Sequence, residues 1–392
     1  MPPRRALVGS AILIWSIGML LQNILPIVLQ ALAREHSLNE AQLGAIGAVF
    51  VIGAGVTIGS GPIWIRRSNW RRLSGWSLLI TVALIAGLVA LSGYTGLLTV
   101  FLLLGLSTGL VQTPSFAVLG DTGQPARAFG AALFTSLLIA AALSFTLPTL
   151  IAPRFGTAGF LVVIALLTLI AVPAVRALPT WAPAGPASGL QGGLVSLWDD
   201  KRALLSAILA TLAGAVYNAP VLAIYYMTAP IAAANGISEK VVGPLIGAGI
   251  LLSMAGALIP SFLGNRVRSL TMIGTSNLVI VALAFPAMMS QSAVLFGTGY
   301  LLFIPCWGLG FTYLLAIARE LDTTHRVYVA APAAQAAGGA LGSMVGGVVL
   351  ARYGQAAFFE LAAALLLVSF LVCLAASKLF VPSARDLSGA VA

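Results

Sequence analysis

The sequence predicts an all-α polytopic membrane protein with twelve transmembrane helices in two six-helix bundles. Three observations carry this reading. Of 392 residues, 60% are hydrophobic and 8% charged, with a mean hydropathy of +1.05; soluble domains carry about 25% charged residues, so water is not the principal solvent. Apolar stretches of roughly twenty residues follow one another along the chain, enough for a helix to cross about 30 Å of hydrocarbon. Runs such as LLITVALIAGLVAL (78–91) and AALLLVSFLVCLAA (363–376) lack the alternation of a membrane β-barrel strand. They are therefore helices, which satisfy their own backbone polar groups.

The predicted spans, in order, are 7–33, 41–63, 73–92, 96–119, 129–150 and 158–178, then 203–231, 241–263, 270–289, 293–318, 328–350 and 356–378. The first follows Arg4 and Arg5 as a secretory signal would. Its apolar part extends to Leu32 and contains Gln22, Asn23 and Pro26, far beyond the roughly 7–15 residues of a signal core, so it is read as a retained helix. The second ends in IWIRRSNWRR (63–72), where Arg66, Arg67, Arg71 and Arg72 form a basic loop beside Trp64 and Trp70, ring types that suit the headgroup level. After the sixth, LPTWAPAGPASGLQGGLVSLWDDKR (178–202) has the composition of a linker. The chain thus divides into an N-terminal bundle (1–178), a linker (179–202) and a C-terminal bundle (203–392). Cys306 and Cys373 lie in apolar runs and read as small buried hydrophobes.

An even number of spans places both termini on one side. Lysine and arginine are retained in the cytoplasm near helix ends. Arg34, Arg154, Lys240 and Arg352 alone fall on the side opposite the termini; the other sixteen of the twenty basic residues share the terminal side. Both termini are therefore expected in the cytoplasm, with the chain in a cell (inner) membrane. The net charge of +10 follows from this topology, and no nucleic-acid partner is expected.

The halves repeat. A shift of about 199 places brings DTGQPAR (121–127) onto ELDTTHR (320–326), matching Asp121 with Glu320 and Arg127 with Arg326. RFG (154–156) falls near RYG (352–354), and the basic loop near NRVR (265–268). Halves with an even number of spans share one orientation, related by an axis along the membrane normal.

This arrangement, with its basic loop between the second and third spans, resembles the major facilitator superfamily over essentially the whole chain. The resemblance implies a transporter that works by alternating access, with the first, fourth, seventh and tenth spans lining a central cavity. It also implies a cytoplasmic gate at the basic loops: Arg66, Arg71, Arg72, Asp121, Arg127, Arg266, Glu320 and Arg326. The match departs in detail. GPIWIRRSNWRR (61–72) has Ile65 where the superfamily's loop carries an acid, and GNRVRS (264–269) also lacks one. The fourth span, LLLGLSTGL (102–110), has no arginine of the proton-coupled type, and the fifth lacks the Gly-Pro signature of drug antiporters. These departures weigh against proton-driven drug efflux.

Every charged residue maps to a loop or helix end, so a mid-membrane carboxylate relay is not expected. The cargo is then a neutral, zwitterionic or amphipathic organic solute, held by amides, hydroxyls and rings. On the first span Trp15, Met19, Gln22, Pro26 and Gln30 lie along one face with Asn23 beside it. The fourth offers Thr108 and Gln112, the seventh Tyr217, Asn218 and Tyr225, and the tenth Trp307 and Tyr313. These eleven residues, Met19 and Pro26 aside, form the candidate substrate site. Glu40, Glu239 and Glu360, near external helix ends, are candidate proton carriers, protons being the candidate coupling ion. No cofactor, metal or catalytic residue is assigned, since the chain has neither a Walker-type loop nor a His/Cys constellation. The functional reading is a secondary active or facilitative transporter, expected as a monomer; the alternatives are a proton-coupled drug efflux pump and a non-transporting sensor or assembly factor on the same fold.

Overall fold

A chain this apolar pairs its backbone polar groups within helices, and helices dominate the structure. The computed structural model describes residues 4–91, 93–120, 125–180, 201–263, 267–322, 327 and 331–379. Its helices are α1 (Arg4–His36), α2 (Glu40–Trp64), α3 (Trp70–Leu88), α4 (Tyr94–Gly120), α5 (Pro125–Thr146), α6 (Ala152–Ile170), α7 (Lys201–Ala234), α8 (Glu239–Leu263), α9 (Ser269–Val279), α10 (Phe285–Met288), α11 (Ala293–Leu321) and α12 (Ala331–Leu379). A π-helical turn over Leu147–Ile151 joins α5 to α6, and another over Ile280–Ala284 joins α9 to α10. Among the described residues no element is a strand, and nine helical runs are long and apolar enough to cross a membrane. The chain is a multi-pass membrane protein.

Short caps start the helices. Asn39 accepts from the Gln42 N–H while the Gln42 side chain accepts from the Asn39 N–H, a reciprocal box that opens α2. Asn69 and Ser292 cap α3 and α11 through the Arg72 and Leu295 N–H groups.

Two of the nine runs, Gly130–Ala177 and Ala333–Leu379, are 48 and 47 residues long, about twice the length a bilayer requires. Each is broken by one glycine in the left-handed region, Gly156 (φ 61°) and Gly354 (φ 79°), a conformation that costs glycine little. The chain reverses at Gly354. Before it, Gly338, Gly342 and Gly346 of α12 pack in turn on Ala215, Ala219 and Ala223 of α7, so this arm runs parallel to α7. After it, Ser369 donates to the Ala213 carbonyl (2.8 Å) and Ser206 to the Ala376 carbonyl (2.6 Å), so the second arm runs antiparallel. These two glycines fall in the RFG and RYG stretches.

The packing of the earlier helices recurs in the later ones. The α2–α4 pair is parallel, with Gly53 and Gly105 meeting the facing backbone, and so is α8–α11, where Gly249 meets Tyr300 and Ile304. Ser16 of α1 donates to the Ala132 carbonyl of α5 (3.1 Å), as Asn218 of α7 donates to the Gln335 carbonyl in the first arm of α12 (2.9 Å). Hydroxyls and small residues hold membrane helices together in this way, since lipid tails are as apolar as leucine. The outer surface carries exposed apolar side chains such as Phe134, Ile170 and Leu278, which suits a lipid solvent.

A Cβ added at Gly342 would fall on the Ala219 backbone, whereas one at Gly130 meets open space. Gly342→Ala is expected to destabilise the detergent-solubilised protein by about 1–3 kcal/mol through overpacking. Gly130→Ala should be neutral or stabilising by up to about 1 kcal/mol; thermal unfolding of the two variants measures the contrast.

Candidate functional site

The site is built where α1 meets α7 and α8. Both α1 and α7 run from the Arg4 end towards the opposite, far side, because α1 residues Asn23 and Gln30 meet Tyr225 and Glu239 in the same order. Pro26 lies within α1 and has no N–H to offer the Gln22 carbonyl, so the helix is loosened at this level. Here the Asn23 side chain donates to Ser136 Oγ of α5 (2.9 Å), and the Asn23 carbonyl accepts from the Tyr225 hydroxyl of α7. Tyr225 and Tyr226 stand with ring centroids 5.8 Å apart, and Tyr226 covers Gly47 of α2.

Further along α1, Gln30 donates to Glu239 Oε1 (2.5 Å) and Arg34 pairs with the second oxygen of the same carboxylate. Glu239 is the first residue of α8, where a negative charge suits the helix dipole. The Arg34 side chain is 65% exposed and that of Glu239 27%. An exposed ion pair contributes about 0–1 kcal/mol, whereas a hydrogen bond to a charged group contributes about 1.5–3 kcal/mol. The Gln30 contact is therefore the stronger half of this junction. Beneath it lies a cavity of about 170 Å³ whose polar lining is Gln30, Arg34, Thr157 and Glu239.

Close helix contacts accompany this junction at the same end of the molecule. Gly347 of α12 meets Gly44 and the Glu40 carbonyl of α2, and Gly243 of α8 meets Ser144 and Pro148 of α5 and its π turn.

The residues expected from sequence fall into three groups. Asn23 and Tyr225 touch directly with half-buried Gln22 next to Asn23 in α1; Gln112 donates to the Gly18 carbonyl of α1 (3.1 Å), Asn218 to the Gln335 carbonyl of α12 (2.9 Å), and Trp15 is half-buried about two turns before Asn23. Gln30 belongs to the Glu239 junction, about 10 Å along α1 from Asn23 at 1.5 Å per residue. Two others bond within their own packing: Thr108 donates to the Gly105 carbonyl of its own helix (3.0 Å), and Tyr217, fully buried, donates to the Trp307 carbonyl (3.2 Å). The Trp307 indole N–H and the Tyr313 hydroxyl are buried without a partner among the described residues. Such groups are costly unless something accepts from them.

Among the basic-loop residues, Arg71 clamps the Leu178 carbonyl through Nε and Nη2 (3.1 and 3.0 Å), while Arg72 and Glu320 are exposed. Asp121, Arg266, Arg326 and the side chains of Arg66 and Arg127 lie outside the described residues.

Sequence reasoning did not single out Arg34 or Ser136, and it offered Glu239 as a candidate proton carrier at a helix end without assigning it partners. The available signal was charge economy: Arg34 closes α1 and Glu239 opens α8 on the side that has few charges.

No protein-family model and no curated protein sequence matches the chain. Solved structures do match. A bacterial homologue of the human lysosomal transporter Spinster, in an inward-facing and unoccupied conformation, aligns with a TM-score of 0.69 at 14% identity over 97% of this chain and 96% of that one. The nucleoside transporter NupG aligns at 0.67 and 15% identity over 96% and 100%. The POT family transporter PepTSo aligns at 0.69 and 14% identity over 96% and 97%. These neighbours are transporters of the major facilitator type, and the chain shares their fold.

Tyr225→Phe removes the hydroxyl bonded to Asn23 and keeps the ring. It should lower stability by about 0.5–1.5 kcal/mol, read as a reduced Tm of the purified protein, with no loss of the amount inserted in the membrane.

Proposed function

We propose that the chain is a secondary carrier moving a small neutral, zwitterionic or amphipathic organic solute by alternating access. In this reading residues 1–178 and 203–392 form two bundles that rock about a central site, joined by the linker over 179–202. The recurrence of the α2–α4 packing in α8–α11 supports the division. The observation that carries the proposal is the seam at Asn23 and Tyr225. It joins α1 to α7, which belong to opposite bundles, and half-buried polar residues stand beside it. A cargo held on the Arg4 side of this seam is shut off from the far side. Charges at membrane depth would be costly, and amides, hydroxyls and the unpartnered Trp307 N–H suit an uncharged or zwitterionic solute with acceptor groups.

Ligand-dependent stabilisation tests the reading. A solute selective for the folded carrier raises apparent stability by mass action, so a thermal-shift screen against metabolites and drugs should yield binders of this class. Flux of such a binder into vesicles should depend on the protein; binding without flux would favour a sensor. Alanine at Gln22, Asn23, Gln112 or Asn218 is expected to weaken transport without reducing the amount of folded protein. Normal transport by all four variants would refute the site.

The proposed orientation puts both termini in the cytoplasm of a cell with this protein in its inner membrane. A cysteine at exposed Arg352 should then react with an impermeant thiol reagent in intact spheroplasts, and one at exposed Arg72 only after lysis.

A further inference from the structure

We infer that the cavity between α1, the α5–α6 turn, α6 and α8 is a binding site for a phospholipid headgroup that carries a primary ammonium beside its phosphate. The lining is of two kinds. Ile27, Phe160 and Val242 contribute apolar surface, while Gln30, Arg34, Thr157 and Glu239 contribute polar groups. At about 170 Å³ the cavity is smaller than the roughly 300–1,000 Å³ of a site that swallows a drug-sized molecule. It takes a head of several heavy atoms and leaves a tail outside. Since the wall draws on both α1 and α8, a bound headgroup ties these helices together and stabilises the folded protein by mass action.

Charge selects the headgroup. Glu239 accepts from Gln30 through one oxygen and faces Arg34 with the other, and each carboxylate oxygen keeps a further lone pair for an ammonium N–H. The Arg34 side chain is 65% exposed, and a guanidinium has donors enough to hold a phosphate together with a carboxylate. A purely anionic headgroup would meet the Glu239 carboxylate uncompensated, and a quaternary ammonium has no N–H to give it. A zwitterion of primary ammonium and phosphate answers both residues and brings no net charge. The rim favours a lipid over a free solute of the same chemistry. Leu150, Phe155 and Val241, all exposed, adjoin lining positions in sequence, with exposed Arg154 and Lys240 beside the last two. Apolar side chains bared among basic ones at helix ends suit the headgroup level of a bilayer, where acyl chains would cover them.

Lipid-dependent thermal unfolding tests this in full-length protein purified in detergent and freed of native lipid. Phosphatidylethanolamine, phosphatidylcholine and phosphatidylglycerol with identical acyl chains are titrated into the micelles, with water-soluble glycerophosphoethanolamine as a fourth probe. Phosphatidylethanolamine should raise Tm at concentrations where the other three have little effect. Arg34→Gln alters an exposed side chain whose ion pair adds little to folding. It should raise the phosphatidylethanolamine concentration needed for the same shift about tenfold, the weight of a charged hydrogen bond, and Glu239→Gln should do likewise. Arg352→Gln, exposed and outside the wall, should respond as the parent does. An equal response to phosphatidylcholine or phosphatidylglycerol, or an undiminished response in either wall variant, overturns the proposal; Arg34→Gln decides alone if Glu239→Gln does not fold. An equal shift with glycerophosphoethanolamine overturns the lipid assignment and gives the cavity to a soluble zwitterion.

Discussion

Every polar group of the main chain that enters hydrocarbon must find its partner inside the protein. The rest of the architecture follows from that requirement. It dictates helices, and it also dictates how they adhere, since burying apolar surface gains little when the surroundings are equally apolar. What remains is close approach and hydrogen bonding. Glycine and alanine provide the first along α7 and α12, while serine and asparagine provide the second by donating to carbonyls of neighbouring helices, as Ser16, Ser206, Asn218 and Ser369 do. Each hydroxyl bond contributes of order 1 kcal/mol, so cohesion comes from their repetition.

The same economy governs charge. The ion pair of Arg34 with Glu239 sits at the ends of its helices and is partly wet. Deeper in, α1 and α7 meet through a hydroxyl and a main-chain carbonyl, which can part without stranding an ion in lipid. The polarity of the seam thus falls with depth, from carboxylate and guanidinium to amide and phenol.

Much of this was legible beforehand. Span limits of 328–350 and 356–378 bracket the reversal at Gly354. RFG and RYG were recognised as a matching pair, but nothing in three letters says that the glycine turns the chain around. Side-chain direction was less legible than position. Periodicity places Thr108 and Tyr217 on helices, yet it cannot say that one hydroxyl folds back on Gly105 and the other reaches Trp307. The partners of Glu239 escaped for a related reason: they are more than two hundred residues away in sequence, and only the assembled bundle brings α1 to it.

Gly156 and Gly354 have a mechanical meaning beyond economy of length. Each turns the chain within one residue, so the two arms on either side are tethered with no slack. A swing of one arm must drag the other. The elements joined there travel together, and freedom to move is left to interfaces that no such short hinge spans.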